Sequence, residues 1–560
     1  MATRPKVLKS LAITAMLATA CALFSTGCGL PVVAHQDPSG DVPGMASEGP
    51  GPPAAPPELT DLRARLGLTA TPDSDCLVYA DLNGDGTDDL VMTVQGQGLG
   101  VYLNSHRGGF LPFLPIPLSP STSGTFLSSC AAVDMDNDGA TDLVVLRGNG
   151  ELAVLRGTSG PTPTFHESPV QTLVNASFIR PVDLNRDGWM DLFAGASYHG
   201  NDGQITCDTT MAVPLCQITG ATAPYPYVLL RQPGTAFTFT TVTLPVAGYS
   251  NGAALGDIDG NGSVDLFSSN ELGVDALFAY RGGTSFIDVL PAHLTPRFNQ
   301  GMGAAWGAIN GTPCLYNADF GPSELYCQQP DGTLRDIAPE TGIAAASRFD
   351  VAWAPIFWDA NNDGYTDIYV GNAVSAAGRD EFIASYMEAV TYADVYDLFL
   401  VGAPGPSFTP VRVAPTFMHP TMGTEVLTAV GDYDGDGLQE IAVSRPEALA
   451  MTRFELIAPQ PRGPRGHWLA VQLSRGGSPP APRNILGATV FLRDGDTVFD
   501  WQTVGSGGGL ASSSTTARFG LGARTRVDSI GVRWPDGATD ITWTPGPFPA
   551  DHVTRITEHR

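Results

Sequence analysis

Short β-type runs rich in Val, Leu, Ile and Phe recur along the chain, as in LVMTV at 90–94, LVVL at 143–146 and IYV at 368–370. Turns of Gly, Asn, Asp and Pro separate them. Helical periodicity is nearly absent; the exception, RDEFIASYMEAVTYADVY at 379–396, reads as a short inserted helix. Six runs are entered through one nine-residue phrase, Asp-x-[Asp/Asn]-x-[Asp/Asn]-Gly-x-x-[Asp/Glu], beginning at Asp81, Asp134, Asp183, Asp257, Asp359 and Asp432. Most copies are spaced by about 50 to 75 residues, the mark of a repeat architecture. The longer interval from Asp257 to Asp359 conceals a seventh unit, GMGAAWGAINGTPCLYNADFG at 301–321. There Ala308 stands at the first acidic position and the loop is shortened. Seven units of several short strands predict an all-β fold, a seven-bladed β-propeller, rather than a linear solenoid of shorter repeats.

The repeated phrase is a set of oxygen donors. Positions 1, 3, 5 and 9 carry side-chain oxygens and position 7 a backbone carbonyl. The first loop offers Asp81, Asn83, Asp85 and Asp89 with the carbonyl of Thr87; the second Asp134, Asp136, Asp138 and Asp142 with Ala140. The third offers Asp183, Asn185, Asp187 and Asp191 with Trp189, and the fourth Asp257, Asp259, Asn261 and Asp265 with Ser263. The fifth offers Asp359, Asn361, Asp363 and Asp367 with Tyr365; the sixth Asp432, Asp434, Asp436 and Glu440 with Leu438. Hard oxygen ligands in an irregular loop suit Ca²⁺, and Gly at position 6 admits a backbone turn that a side chain obstructs. An EF-hand is excluded, because it needs Glu at position 12 and flanking helices. Position 12 is Met92, Val145, Ala194, Ser268, Val370 or Val443, and β-type runs follow. The expectation is up to six structural Ca²⁺ ions.

A formal charge of −27 argues against nucleic acid as a partner. Arg4, Lys6 and Lys9, with the only two lysines of the chain among them, precede an apolar stretch from Leu11 to Phe24. This is an export signal. Ser25-Thr26-Gly27-Cys28 resembles a lipobox with Cys28 as the lipidated residue, and ordinary cleavage near Ala34 is the competing reading. Residues 1–27 are therefore expected to be a signal peptide and 28–58 a Pro/Gly-rich tether, giving an envelope lipoprotein or a secreted protein. A lipid anchor is the only membrane contact expected, as no later apolar span is long enough to cross a bilayer. Six further cysteines suggest disulfides: Cys314 with Cys327 across a hairpin, Cys207 with Cys216 around a short loop, and by elimination Cys76 with Cys130.

The acidic loops, with entries such as GALGD-like GAALGD at 252–257 and AWG at 305–307, resemble FG-GAP/VCBS repeats. The resemblance implies a propeller over 59–460, as in integrin α-subunits and bacterial surface proteins. At 463–560, His467-Trp468-Leu469, Leu486-Gly487-Ala488-Thr489-Val490, Arg518-Phe519-Gly520-Leu521-Gly522 and Val532-Arg533-Trp534-Pro535-Asp536-Gly537 resemble the ASPIC/UnbV family in order. Together the two resemble the arrangement of the cartilage acidic protein family. Where that family carries an aromatic residue and Ser-Gln, this chain reads GSGGGLASSS at 505–514, which puts a surface role for the segment in doubt. Alternation of Ile530, Val532 and Trp534, with Arg533 on the other face, predicts a small β-sandwich.

No catalytic motif survives its context. Gly248-x-Ser250-x-Gly252 matches a nucleophile elbow, which needs a following helix, but an acidic loop follows. The expected role is non-enzymatic: an adhesion or binding module for a protein partner at the cell surface. The alternatives are a lectin-like propeller for a glycan, with Trp189 and Tyr365 as stacking rings, and a hydrolase or lyase with its site in the central funnel.

Overall fold

A computed structural model describes residues 58–61, 66, 68, 76–94, 97–119, 127–196, 204–208, 215–219, 224–234, 236–295, 298–348, 350–375, 396–413, 426–445, 453–460, 465–476, 484–505, 511–535 and 540–558. The expected signal, Cys28, the tether up to residue 57 and nearly all of the helix expected at 379–396 lie outside them.

Among the described residues, seven antiparallel four-stranded units follow one another along the chain. Their inner strands are Leu77–Ala80, Leu127–Val133, Ala176–Val182, Tyr249–Gly256, Phe298–Ile309, Asp350–Trp358 and Leu427–Gly431. Each inner strand touches the next, and the last touches the first, so the units close into a ring. Glu58–Asp61 completes the seventh unit by pairing with Arg453–Gln460, which fastens the start of the ring to its end. The fold is an all-β propeller.

The second strand of each unit shows why the apolar runs are continuous rather than alternating. Asp89–Val94, Asp142–Arg147 and Asp191–Ala196 are buried at every position, because neighbouring sheets cover both of their faces. Leu90 and Met92 pack in one hydrophobic cluster and Val91 in another, on opposite sides of the same strand. The disulfide Cys76–Cys130 joins the first two units, and Cys314–Cys327 lies within the fifth. Cys207 and Cys216 face each other in backbone register across a hairpin, with side chains outside those described.

The fifth unit has replaced its acidic loop with a tight hairpin. Ala308 pairs with Pro313 inside the ladder, and Asn310 and Gly311, both at positive φ, make the two-residue turn.

The C-terminal part is a two-sheet sandwich. Ala517–Gly522, His467–Arg475 and His552–Glu558 form one sheet. Thr497–Thr503, Thr489–Asp494, Arg526–Arg533 and Thr542–Pro549 form the other. Leu469, Val471, Val490, Leu492, Phe519, Ile530 and Val532 make its core.

Candidate metal centres

Each acidic loop connects the inner strand of a unit to its second strand, so all six lie on one face of the ring. Their backbones share one device. Position 4 (Gly84, Asn137, Arg186, Gly260, Asn362, Gly435) and position 6 (Gly86, Gly139, Gly188, Gly262, Gly364, Gly437) all have positive φ. Two left-handed residues curl the chain around a centre, which is why glycine and asparagine dominate there. The position-6 N–H donates to the position-1 carboxylate in every copy, at 2.8 Å for Gly86 on Asp81 and 3.1 Å for Gly437 on Asp432. The position-2 N–H donates to the position-9 carboxylate, at 3.0 Å for Leu82 on Asp89 and 3.2 Å for Tyr433 on Glu440.

Three loops bring three carboxylates within 4.8 Å of one another: Asp134, Asp136 and Asp142; Asp257, Asp259 and Asp265; Asp432, Asp434 and Glu440. These are the copies with Asp at position 3. In the other three, Asn83, Asn185 and Asn361 turn their amide nitrogens to the position-5 carboxylates, at 2.7 to 3.1 Å. Position 5 does not join the triads; Asp138, Asn261 and Asp436 accept from the N–H two residues on.

Burial makes these carboxylates costly to ionise without a counter-charge. Desolvation, reinforced by neighbouring carboxylates, raises Asp89 and Asp142 to about 7. The same causes raise Asp191, Asp265 and Asp367 to about 8. Asp359 and Glu440 are likewise raised well above the ordinary carboxylate range by burial. Asp432 reaches only about 6, since Arg518 offsets part of the desolvation. Asp136 Oδ1 and Asp265 Oδ1 are buried without any hydrogen-bond partner, and both belong to triads. Orphaned, mutually repelling oxygens fit a divalent cation held by oxygen ligands.

The loop face is covered by the C-terminal sandwich. Gln472 donates to the Gly86 carbonyl at 2.8 Å, Asn484 to the Asp134 carbonyl, and Trp501 to the Gly311 carbonyl at 3.0 Å. Gly522 N–H donates to Asn362 O at 2.9 Å, Arg465 pairs with Asp436 at 2.7 Å, and Arg533 pairs with Asp257 at 2.9 Å. Residues 511–514 enter the ring itself: Ser512 pairs with Val78, and Ser514 N–H donates to Val430 O at 2.9 Å. Arg180 on the third inner strand donates to the Ala511 carbonyl. Residues 511–514 are thus a plug at the seam between the first and last units, in keeping with the doubt over a surface role for this segment.

Comparison with known proteins adds to this geometry. The model described as ASPIC and UnbV matches residues 477–560, and that described as FG-GAP-like repeat matches 81–145 and 134–194. Cartilage acidic protein 1 of Xenopus tropicalis is 23% identical over 440 residues, covering 73% of this chain and 61% of that protein. The Homo sapiens protein is 26% identical over 302 residues, covering 51% and 41%. The chain is a homologue of cartilage acidic protein 1. As such a homologue it spans about three-fifths of its amphibian relative and two-fifths of the human one. Among solved structures, the BP39L lectin from Burkholderia pseudomallei is similar at TM-score 0.43 and 13% identity, over 69% of this chain and 99% of that one. BBS1N, from its complex with ARL6DN, is similar at TM-score 0.38 and 11% identity, over 71% and 96%. Likeness at that level carries no functional weight.

Other sequence expectations move. Trp189 and Tyr365 are buried rather than offered to a sugar; the Arg231 guanidinium lies 5.3 Å from the Trp189 ring centre. Ser250 is buried on an inner strand and bonds Asn270 and Ser268, with strand continuing to Gly256, so no elbow forms there. The arginines that meet the loops, Arg156, Arg465, Arg518 and Arg533, carried no signal in sequence. Alternation placed Arg533 on the outer face of a sandwich but not against a second domain.

Proposed function

We propose that the acidic loops hold structural Ca²⁺ and that the propeller is an exported, lipid-anchored, non-enzymatic binding module. Its own C-terminal domain closes the loop face, and the opposite face meets a protein partner at the cell surface. The observation that carries this reading is the covered loop face: cations there lie beneath a docked domain, as fasteners rather than contacts for a ligand. The second strands Asp191–Ala196 and Asp367–Ser375 end at the opposite face, and the sequence separating them from their third strands, which begin at Tyr227 and Asp397, is longer than in the other units. Burial of Trp189 and Tyr365 removes the residues that favoured a glycan.

Native mass spectrometry across a Ca²⁺ titration, with melting curves in chelator and in millimolar Ca²⁺, tests the metal. Bound ions and a rise in melting temperature are expected; an identical curve in chelator overturns it. Fatty-acid labelling of wild type and Cys28→Ala tests the anchor, and label retained in the variant rules out Cys28. Deletion of 376–396 is expected to abolish partner capture while leaving the Ca²⁺ response intact.

A further inference from the structure

The fourth loop differs from its siblings in two contacts. In the first, second, third and fifth loops both oxygens of the position-1 carboxylate are tied to the loop's own backbone. Position 5 donates to one at 3.1 to 3.2 Å and the position-6 glycine to the other at 2.8 to 2.9 Å. In the fourth, Gly262 N–H takes Asp257 Oδ1 at 2.9 Å, while Oδ2 receives Nη1 of Arg533 at 2.9 Å. The second difference is at position 9. Asp89, Asp142, Asp191 and Asp367 each use Oδ1 to accept a strand N–H at 2.7 to 2.8 Å. Asp265 Oδ1 has no donor, and Asp265 is 1% exposed. The fourth loop therefore keeps a buried Asp265 oxygen without a donor, on a carboxylate grouped with Asp257 and Asp259, yet a guanidinium already holds the Asp257 oxygen that its backbone leaves open.

We infer that Arg533 is a built-in cation that competes with Ca²⁺ for the fourth loop, weakening it relative to the third loop, which has the same number of carboxylates, and linking its filling to release of the sandwich edge Arg526–Arg533. A guanidinium is always charged and takes carboxylate oxygens well. A divalent ion sharing that oxygen meets a positive charge at contact distance, with only partial solvent screening, since Arg533 and Asp257 are 20% and 16% exposed. The fourth loop also has the amide Asn261 at position 5, where every other copy has Asp. It thus carries three side-chain carboxylates, one fewer than the second and sixth loops and the same number as the first, third and fifth, and lower ligand charge weakens calcium loops.

This inference rests on the proposed calcium reading, and the test separates the two. Bound ions are counted by native mass spectrometry on the full-length chain as free Ca²⁺ is raised. In the wild-type background, Asp265→Asn is expected to leave the number of tightly held ions unchanged, whereas Asp191→Asn in the third loop, which has the same number of carboxylates, removes one. Arg533→Met is expected to tighten one further site by about tenfold, the scale of one neighbouring charge at a partly exposed site. Arg533→Lys leaves it weak, and adding Asp265→Asn to Arg533→Met abolishes the gain. A tight ion lost in Asp265→Asn, or no change on Arg533→Met, overturns the inference while leaving the calcium reading standing; the Asp265→Asn arm decides even if Arg533→Met does not fold. No ion bound by any of these proteins overturns both.

Discussion

Tyr79 on the first inner strand donates its backbone N–H to the carbonyl of Ser512 at 2.9 Å, and Ser512 N–H returns a bond to Leu77 O at 3.2 Å. A residue of the C-terminal domain thus acts as an added strand at the place where the ring closes. Ser514 bonds the other side of that seam through Val430, and Arg518 stands between Asp88 at 3.3 Å and Asp432 at 3.6 Å. Proline at 512 deletes the donor and leaves a buried carbonyl unpaired, a loss of about 2–3 kcal/mol. Ser512→Pro is expected to lower the unfolding free energy in urea titration by that amount, and so the midpoint, and Ser512→Ala to stay within about 0.5 kcal/mol of wild type. Equal midpoints for Ser512→Pro and wild type would show that the plug does not hold the seam.

Without bound cation, stability depends on pH with a definite sign. Asp89 and Asp142 at about 7, and Asp191, Asp265 and Asp367 at about 8, lie above the unfolded carboxylate value of 3.8. Between about pH 4 and about pH 8 the folded chain therefore binds more protons than the unfolded one, so stability falls as pH rises. A bound cation holds the same groups ionised and removes that slope. Melting temperature in chelator is expected to fall from pH 5 to pH 8, and in saturating Ca²⁺ to stay level or rise. A rise with pH in chelator contradicts the account.

The sequence made the fold legible because the acidic phrase recurs in register with the strands: each loop fixes where an inner strand ends and a buried second strand begins. Asp89, Asp142 and Asp191 could be placed as strand-initiating carboxylates from spacing alone. Position 4 was missed although Gly84, Asn137, Gly260, Asn362 and Gly435 stood in plain view, since only Arg186 hides the preference for left-handed backbone. The docking contacts were not legible. Gln472 and Arg533 sit on polar faces of alternating strands, and a polar face looks the same toward water as toward another domain. The plug at 511–514 was obscured by its composition, because Ser-rich chain reads as loop until something pairs with its backbone.

Two loop glycines separate backbone strain from docking. Gly84 has φ of 78° and open space around its missing Cβ, so Gly84→Ala is expected to cost only the left-handed strain, about 1–2 kcal/mol. Gly437 has φ of 86°, and a Cβ there meets the Trp468 ring of the C-terminal domain at 2.2 Å. Gly437→Ala adds that overlap to the same strain and is expected to cost at least about 1 kcal/mol more. It also exposes the sandwich interface to limited proteolysis. Matching losses for the two variants would show that Trp468 yields freely.

The two described disulfides differ in what they constrain. Cys314 and Cys327 are 13 residues apart and directly opposed in an already paired hairpin, so their bond repeats a restraint the ladder supplies. Cys76 and Cys130 are 54 residues apart and tie the inner strands of the first two units, beside the seam that Ser512 spans. Loop-closure entropy gives about 4 kcal/mol for the longer loop and about 3 kcal/mol for the shorter. Burial of Cys76 and Cys130 adds a packing loss when both become Ala. The Cys76→Ala/Cys130→Ala pair is expected to lower the denaturant midpoint more than the Cys314→Ala/Cys327→Ala pair. It should also make stability more sensitive to Ser512→Pro, because both restraints act on the first unit. A double-mutant cycle measures that coupling; additive losses would mean that the disulfide and the plug hold the ring independently.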